Sequence, residues 1–506
     1  MQRALRERAL VEWGDMFAAG TKLGHFLFAP SQRIHFIGIG GIGMSGIAEI
    51  LLTMGYTVSG SDLRRSAVTE RLVGLGARVF EGHAAANAAA CDVVVTSSAV
   101  SKDNPEVLEA RARKVPVIQR AEMLAELMRL KYGIAVAGMH GKTTTTSMVA
   151  AVLAGGGLDP TVVVGGRVDA MGSNARLGKS QYLVAEADES DRSFLKLSPI
   201  LAVVTNIDRE HMDCYRNMRD VKDTFLEFMD HVPFYGMVVA CNDDGLLRRL
   251  LPRVQRRTLT YGTKRGSDFY IKLNAGNAAG LVRGHGQPLS RFSVSYRKQD
   301  LGEFTLHVPG VHNILNATAA IAVGIGLDVG VDPIRATLDQ FRGVDRRFHL
   351  RGQAAGVSVI DDYGHHPTEI KATLAAARQY GFGKVHVVFQ PHRYTRTRDL
   401  MEEFTSAFGD ADSLFVLDIY AASEKPIEGV GAEILAQRIR ETMTPKVVQY
   451  ADSFAHAVGS VAAVAQDGDM ILTLGAGSVS QLGPMILERL KEREEASKDS
   501  SAAKLP

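Results

Sequence analysis

The segment IHFIGIGGIGMSG at residues 34–46 decides the fold class of the first part of this chain. The apolar run Ile34–Ile37 is typical of a buried strand, three glycines follow as Gly-x-Gly-x-x-Gly, and an apolar helical pattern extends from Met44 to Met54. Asp62 stands at the end of the next predicted strand. Glycines in this order bring backbone N–H groups at a helix N-terminus close to a diphosphate. We therefore predict a Rossmann-like unit that binds a nucleoside diphosphate; a tight turn without a ligand is the simpler alternative.

The composition describes a globular chain of nearly neutral charge. Its 506 residues contain 58 Lys+Arg and 56 Asp+Glu, a net charge of +2, and 46% of them are hydrophobic. A domain has roughly 150 residues, so this length predicts about three domains. The balanced charge gives no general attraction to nucleic acid or anionic membranes, and we predict no nucleic-acid partner and no stable membrane insertion. Cys91, Cys214 and Cys241 are too few and too widely spaced for a disulfide framework, which favours a cytoplasmic location.

Predicted strands and helices alternate in three blocks, which indicates an α/β fold with three domains. We predict an N-terminal Rossmann-like domain at 32–131, a central P-loop ATPase-like α/β domain at 132–328, and a C-terminal Rossmann-like α/β domain at 329–490. Short alternating strands between Thr258 and Val308 predict an antiparallel annex to the central domain. Residues 1–31 form an expected N-terminal extension, and residues 491–506, which lack aromatic side chains, form an expected flexible tail.

A second glycine loop, Gly138-Met139-His140-Gly141-Lys142-Thr143, follows an apolar strand and opens a helical pattern. Backbone N–H groups of such a loop bind phosphate oxygens, the Lys142 ammonium reaches the terminal phosphates, and the Thr143 hydroxyl can ligate Mg²⁺. The first glycine lies closer to Gly141 than in the usual phosphate-loop pattern. Strand, loop, Lys-Thr and helix together still predict a nucleoside triphosphate site; the alternative is a surface lysine after a turn.

Polar residues follow several other predicted strands. Glu186 and His211 stand at such strand ends in the central block, where they could complete a metal site near the phosphates. In the third block, Arg346-Arg347-Phe348, the run from Asp361 to Pro367 and the run from His392 to Arg396 predict a site for a carboxylate-bearing ligand. For all of these residues, the alternative interpretation is that they are solvated loop charges without a ligand. A zinc site at His365 and His366 is a further, less favoured alternative, because no third ligand has a recognisable spacing.

In these motifs and in their order the chain resembles the Mur ligases, ATP-dependent amide-forming enzymes of peptidoglycan synthesis. The resemblance runs from about Arg33 to about Leu487, and it rests on both glycine loops, the acidic run Glu186–Asp191, Thr205-Asn206 through His211-Met212-Asp213, His312-Asn313, and the three third-block runs. The chain departs from the family pattern in two places. Met139 stands where Thr is commoner, and Glu210 stands where Asp often precedes the histidine.

The resemblance implies a role for each matching residue. ATP would be bound by Gly138, Met139, His140, Gly141, Lys142, Thr143, Thr144, His312, Asn313 and Arg347. Thr143 would bind one Mg²⁺, and Glu186 and His211 would bind a second. The UDP-sugar would be bound by Gly38, Gly40, Gly41, Gly43, Met44, Asp62 and Ser97. The amino acid would be bound by Tyr363, His365, Arg393 and Arg396. The catalytic residues would be Lys142, Glu186, His211, Arg347 and Asp362.

The activity implied by the resemblance is ATP-dependent ligation of L-alanine to the lactyl carboxylate of UDP-N-acetylmuramate through an acyl phosphate. His211 and His365 are both candidates to accept the amine proton, and the sequence does not choose between them. A sibling ligase that attaches a recycled tripeptide to the same sugar nucleotide is the nearest alternative. An NAD-dependent oxidoreductase would leave the Lys142 loop without a role. A non-catalytic NTP-driven binding protein would hydrolyse ATP whatever amino acid is present.

Overall fold

The computed structural model describes residues 30–97, 99–168, 173–273, 281–282, 289–442 and 447–502. The predicted N-terminal extension, residues 1–31, lies outside these residues except for its last two. The chain divides into two compact units, one within residues 1–124 and 175–177, the other within 125–174 and 178–506. Among the described residues, no helix combines the length and the apolar character needed to cross a bilayer.

The first unit is built on a parallel sheet. Its strands are β1 (Arg33–Ile37), β2 (Thr57–Asp62), β3 (Arg78–Glu81), β4 (Val93–Thr96) and β5 (Val117–Gln119), and the helices of this region are α1 (Ile42–Thr53), α2 (Ala67–Gly74), α3 (Pro105–Ala112) and α4 (Arg120–Arg129). The strand order is β3-β2-β1-β4-β5, and all pairs are parallel. Because β2 and β4 flank β1, the chain leaves β1 where the strand order reverses, the place where open α/β sheets bind ligands.

The central sheet is parallel as far as the strand that ends at Leu273, so the antiparallel annex predicted between Thr258 and Val308 is confirmed only in its later part, where the strands between Leu281 and Leu306 pair antiparallel. Its strands are β6 (Tyr132–Ala137), β7 (Thr161–Val168), β8 (Ser173–Arg176), β9 (Tyr182–Glu186), β10 (Leu201–Val204), β11 (Met237–Cys241), β12 (Thr258–Gly262), β13 (Phe269–Leu273), β14 (Leu281–Val282), β15 (Leu289–Tyr296) and β16 (Gln299–Leu306). The order β13-β12-β11-β10-β6-β9-β7 is parallel, whereas β15 pairs antiparallel with β13, β14 and β16. Strand β6 is therefore central, and its residues Ile134–Ala137 are fully buried.

Helices cover the central sheet and lead to the third one. They are α5 (Lys142–Gly155), α6 (Met218–Asp230), α7 (Gly245–Leu250), α8 (Val311–Gly326) and α9 (Val331–Gln340). Helix α8 packs on α5, and α9 packs on α5 and β16. Helix α9 follows the predicted domain border at 328/329, and the predicted borders stay predictions.

The third sheet has helices on both faces. Its strands are β17 (His349–Ala354), β18 (Val357–Asp362), β19 (Val385–Phe389), β20 (Ser413–Leu417), β21 (Val447–Ala451) and β22 (Met470–Leu474), and its helices are α10 (Pro367–Gln379), α11 (Tyr394–Asp399), α12 (Met401–Thr405), α13 (Ala432–Glu441), α14 (Phe454–Val464) and α15 (Leu482–Ala502). The order is β17-β18-β22-β19-β20-β21, with β17 antiparallel. Val387 and Phe389 pack in the core on one face and Val388 in the core on the other, as strand alternation requires. The predicted three-domain α/β fold is confirmed in these three sheets.

Some details differ from the sequence patterns. Strands β3, β8 and β17 were not predicted, because all three lie at sheet edges and none is a continuous apolar run. The predicted flexible tail at 491–506 is wrong in its first part, since α15 continues to Ala502. Lys, Glu, Arg and Ala in this segment are strong helix formers. Arg493 also donates to the carbonyl oxygens of Ala462 and Ala465, which ties the helix to the domain.

Candidate active site

The loop between β6 and α5 is held in shape by the residues that follow β10. Thr205 Oγ1 and Asn206 Nδ2 donate to the carbonyl oxygen of His140 at 2.7 and 2.9 Å, and the His140 N–H donates to Asn206 Oδ1 at 2.9 Å. Gly138 has φ +133°, and a Cβ there would lie 2.0 Å from Thr205 Oγ1. Glycine is therefore required at this position. The loop is preformed, and neither Thr205 nor Asn206 was among the predicted site residues.

Lys142, the first residue of α5, is bound by the loop and by one carboxylate. Its Nζ donates to the carbonyl oxygens of Gly138 (2.8 Å) and Met139 (3.2 Å) and to Glu189 Oε1 (2.7 Å). Burial acts to lower the pKa of Lys142, but the charges of Glu189 and Glu186 outweigh it and raise the pKa above its ordinary value. The ammonium is therefore fully charged at neutral pH. Glu189 was not among the predicted site residues.

The three predicted metal ligands lie in two adjoining places. Thr143 Oγ1 donates to Glu186 Oε2 at 3.1 Å, and the Gly165 N–H donates to the same oxygen at 2.8 Å. His211, with φ +56°, places its Nε2 3.6 Å from Glu189 Oε1. The oxygen atoms present are the donors that Mg²⁺ prefers. Glu189 Oε2 is buried and has no hydrogen-bond partner among the described residues, so the site retains an oxygen donor for a cation.

A cavity of about 500 Å³ lies beside the loop, between the central and third sheets. Six of the predicted ATP-binding residues and Asp362 line it: His140, Gly141, Thr144, His312, Asn313, Arg347 and Asp362. Burial, followed by the charge of Arg347, lowers the pKa of His312 to about 4, so this ring is neutral at pH 7. Burial raises the pKa of Asp362 above its ordinary value. The sequence analysis did not predict the other residues that line the cavity. Among them, Asn206, Asp208 and Asp244 could have been found from the sequence, because they are polar residues that closely follow strands β10 and β11.

A short segment after β10, Asp208–Asp213, makes the contacts with the third sheet's domain; we call it the 208–213 loop. Asp208 Oδ2 accepts a hydrogen bond from Thr368 Oγ1 at 2.7 Å, and Glu210 Oε1 accepts one from Arg396 Nη2 at 2.9 Å. Arg209 pairs with Glu403 at 3.0 Å. The loop also carries His211. It therefore joins the candidate metal site to the third domain.

His140 lies among three carboxylates from both sides of this junction. Its Nε2 is 2.9 Å from Asp208 Oδ2, and its Nδ1 is 3.4 Å from Glu369 Oε1 and 3.9 Å from Glu210 Oε2. Burial acts to lower the pKa of His140, but its hydrogen bond with Asp208 and the nearby Glu369 carboxylate raise the pKa to about 10. An imidazolium therefore links the phosphate loop to helix α10.

His140, Asp208 and His366 also lie close enough together to hold a metal ion. Three of the four ring nitrogens already have hydrogen-bond partners: His140 Nε2 contacts Asp208, His366 Nε2 is 3.3 Å from the Arg209 carbonyl oxygen, and His366 Nδ1 accepts the Thr368 N–H at 3.3 Å as the cap of α10. His365, the other half of the predicted zinc pair, is not in this group. The arrangement favours a hydrogen-bonded cluster over zinc.

The predicted amino-acid residues form a cluster of rings and guanidinium groups. The rings of Tyr363 and His365 lie 5.5 Å apart, and that of His365 lies 5.6 Å from His392. Arg396 Nη1 is 3.1 Å from His392 Nδ1, and Arg393 Nη1 is 3.7 Å from Asp213 Oδ2. Burial, followed by the charges of nearby cationic groups, lowers the pKa of His392 to about 3. His392 was quoted in the sequence motif but not predicted as a site residue, because its role depends on ring packing.

In the first unit, the glycine loop after β1 is in contact with Asp62. Asp62 Oδ2 accepts the Gly40 N–H at 2.8 Å, and Gly38 adopts φ +77°. Met44 is buried in α1, Gly41 precedes that helix, and Ser97 follows β4, which pairs with β1. A Cβ at Gly43 would lie 2.8 Å from Arg120 Nη1, so this guanidinium lies over the start of the helix. Arg120 thus offers a cation that could pair with a diphosphate at this loop. The sequence analysis did not predict Arg120 as a site residue.

Three family profiles match the chain in order. They are "Mur ligase family, catalytic domain" over residues 33–132, "Mur ligase middle domain" over 136–324 and "Mur ligase, glutamate ligase domain" over 346–477. The chain belongs to the Mur ligase family.

Relatives of this Mur ligase match it over nearly its whole length. A UDP-N-acetylmuramate–L-alanine ligase from Koribacter versatilis is 70% identical over 470 residues, covering 93% of this chain and 100% of the relative. One from Acidobacterium capsulatum is 63% identical, covering 92% and 99%. The crystal structure of UDP-N-acetylmuramate-alanine ligase MurC from Thermotoga maritima covers 91% of this chain and 100% of its own, with a TM-score of 0.73 and 29% identity.

Proposed function

We propose that this chain joins L-alanine to the lactyl carboxylate of UDP-N-acetylmuramate, with cleavage of ATP to ADP and phosphate, in peptidoglycan precursor synthesis. The observation that carries this proposal is the preformed loop with Lys142 beside a nucleotide-sized cavity, in a chain 70% identical to a ligase of that name. A cytoplasmic location is part of the same proposal.

ATP activates the carboxylate, which does not react with an amine at neutral pH. The carboxylate oxygen attacks the γ-phosphorus, the bond to the β-phosphate oxygen breaks, and ADP leaves. We assign the loop Gly138–Thr144 and Lys142 to the phosphates, and His312, Asn313, Arg347 and Asp362 to the rest of the nucleotide, since most of them line the cavity. Thr143 would hold one Mg²⁺ and Glu186 and His211 a second, and these ions would neutralise phosphate charge. Asp62, Met44, Ser97 and the glycines of the first loop bind the UDP-sugar.

The second step forms the amide. The neutral amine of L-alanine attacks the acyl carbon, phosphate leaves, and a base takes the amine proton. We propose His365 as this base, since its ring lies in the cluster with Tyr363 and Arg396, whereas His211 lies beside Glu189. Arg393 and Arg396 offer guanidinium groups for the carboxylate of alanine. The 208–213 loop keeps the third domain against the central one, which excludes water from the acyl phosphate.

Phosphate release tests the assignment. The protein is incubated with ATP, Mg²⁺ and UDP-N-acetylmuramate, and each amino acid or the tripeptide is offered in turn. We expect release above background with L-alanine. Release with tripeptide only would instead identify the sibling ligase. ATP hydrolysis indifferent to the amino acid would identify the NTP-driven binding protein.

A further inference from the structure

Glu189 is the one buried member of the acidic run that follows β9. Glu186 and Asp188 are half-buried and Asp191 is exposed, whereas the Glu189 side chain is fully buried. Its Oε1 accepts from Lys142 Nζ at 2.7 Å and lies 3.6 Å from His211 Nε2. Its Oε2 is buried without a hydrogen-bond partner among the described residues. A buried carboxylate with one unpartnered oxygen needs a cation beside it.

Lys142 supplies that cation only while it does not bind phosphate. An ammonium has three N–H donors, and Lys142 directs them to the Gly138 carbonyl, the Met139 carbonyl and Glu189. To donate to a terminal phosphate, Lys142 has to give up at least one of these bonds. Phosphate oxygens that reach the same ammonium bring further negative charge beside Glu189, so one ammonium no longer neutralises both anions.

A Lys142 that turns to phosphate would leave Glu189 as a buried charge with too little neutralisation, which is strongly unfavourable. Of the neighbouring carboxylates, Glu186 Oε2 accepts from Thr143 and Gly165, and Asp188 accepts the Ser190 N–H. Glu189 is the fully buried carboxylate here, with one oxygen that has no hydrogen-bond partner among the described residues, and His211 lies next to it. We propose that Glu189 exchanges Lys142 for Mg²⁺ when nucleotide binds, and is a metal ligand in addition to Thr143, Glu186 and His211.

This inference rests on the proposed ATP site, and Mn²⁺ binding tests it apart from catalysis. Free Mn²⁺ is measured by electron paramagnetic resonance during titration of the full chain with a non-hydrolysable ATP analogue. Glu189→Gln, which keeps the shape and removes the charge, is expected to weaken one class of bound Mn²⁺ by about tenfold or more. Asp191→Asn is the matched control, because it removes a charge from the same run at an exposed position. Mn²⁺ binding by Glu189→Gln equal to wild type would overturn the proposal.

A second measurement needs no nucleotide and covers the case in which Glu189→Gln folds poorly. Lys142→Met removes the ammonium and keeps much of the apolar stem, so Glu189 is released from its partner. The nucleotide-free Lys142→Met chain is expected to bind Mn²⁺ about tenfold more tightly than wild type. Adding Glu189→Gln should return the affinity to the wild-type level. Unchanged Mn²⁺ affinity in Lys142→Met would refute the exchange. A wild-type chain that fails to bind the ATP analogue would refute the proposed function instead.

Discussion

The ion pair between Glu210 and Arg396 is expected to be a major stabilising contact between the central and third domains. Its atoms are 2.9 Å apart, and the side chains are only 5% and 9% exposed. Burial acts to raise the pKa of Glu210, but His365, His211 and Arg396 lower it well below its ordinary value, so the carboxylate is ionised. Glu210→Ala leaves a buried guanidinium unpaired, and breaking such a pair costs about 3–5 kcal/mol.

A double-mutant cycle with Glu210→Ala, Arg396→Met and the double variant isolates this contact. Calorimetric unfolding gives the stability of each variant, and the KM for L-alanine shows whether Arg396 has moved. We expect a coupling energy of about 1–3 kcal/mol and a raised KM in Glu210→Ala. The exposed pair Arg209–Glu403 joins the same domains at 3.0 Å and is the matched control, with an expected cost of about 0–1 kcal/mol. If the losses of unfolding free energy in the two single variants simply add in the double variant, this account is refuted. Equal losses on breaking the Glu210–Arg396 and Arg209–Glu403 pairs would also refute it.

Three further changes probe the phosphate loop. Lys142→Ala should abolish ligation while UDP-sugar binding, measured calorimetrically, stays close to wild type; loss of both would contradict the assignment. Gly138→Ala should abolish ATP-analogue binding, because its Cβ would lie 2.0 Å from Thr205 Oγ1. Gly157 also has a positive φ, +82°, but a Cβ there would have nothing within 4 Å, so Gly157→Ala should keep the binding. The pKa of His140 is raised to about 10, above its unfolded value of 6.5, so its stabilisation is full below pH 6.5 and is lost as pH rises towards 10. The melting temperature of His140→Asn should vary less with pH over that range than that of the wild type. The same pH dependence in both proteins would contradict a protonated His140 in the folded state.

The sequence predicted the parts of the fold that depend on local pattern. The apolar run Ile134–Ala137 and the glycine loop after it predict a central strand and a phosphate loop, and β6 and the start of α5 are in those places. Buried parallel strands are nearly continuous apolar runs, so they stand out in one sequence. The antiparallel edge strand β17 does not stand out in this way, because it has no apolar run of its own. Its position is determined by backbone pairing with β18.

The residues missed at the candidate site depend on contacts between distant segments. Glu189 belongs to an acidic run whose members look alike in sequence, and only burial against Lys142 distinguishes it. Glu210 is paired with Arg396 far along the chain. Arg120 lies over a loop formed by much earlier residues. One sequence alone does not show which charged residues, far apart in the chain, form contacts in the fold.

The 208–213 loop has a consequence for how variants of this enzyme are interpreted. Its six consecutive residues contact the phosphate-loop histidine, carry a candidate metal ligand and pair with the third domain. A substitution at Asp208 or Glu210 changes contacts with both His140 and the third domain, so loss of turnover alone does not assign the effect to one chemical group. Because the loop contacts both the phosphate loop and the third domain, one small molecule bound there would interfere with nucleotide binding and amino-acid binding together.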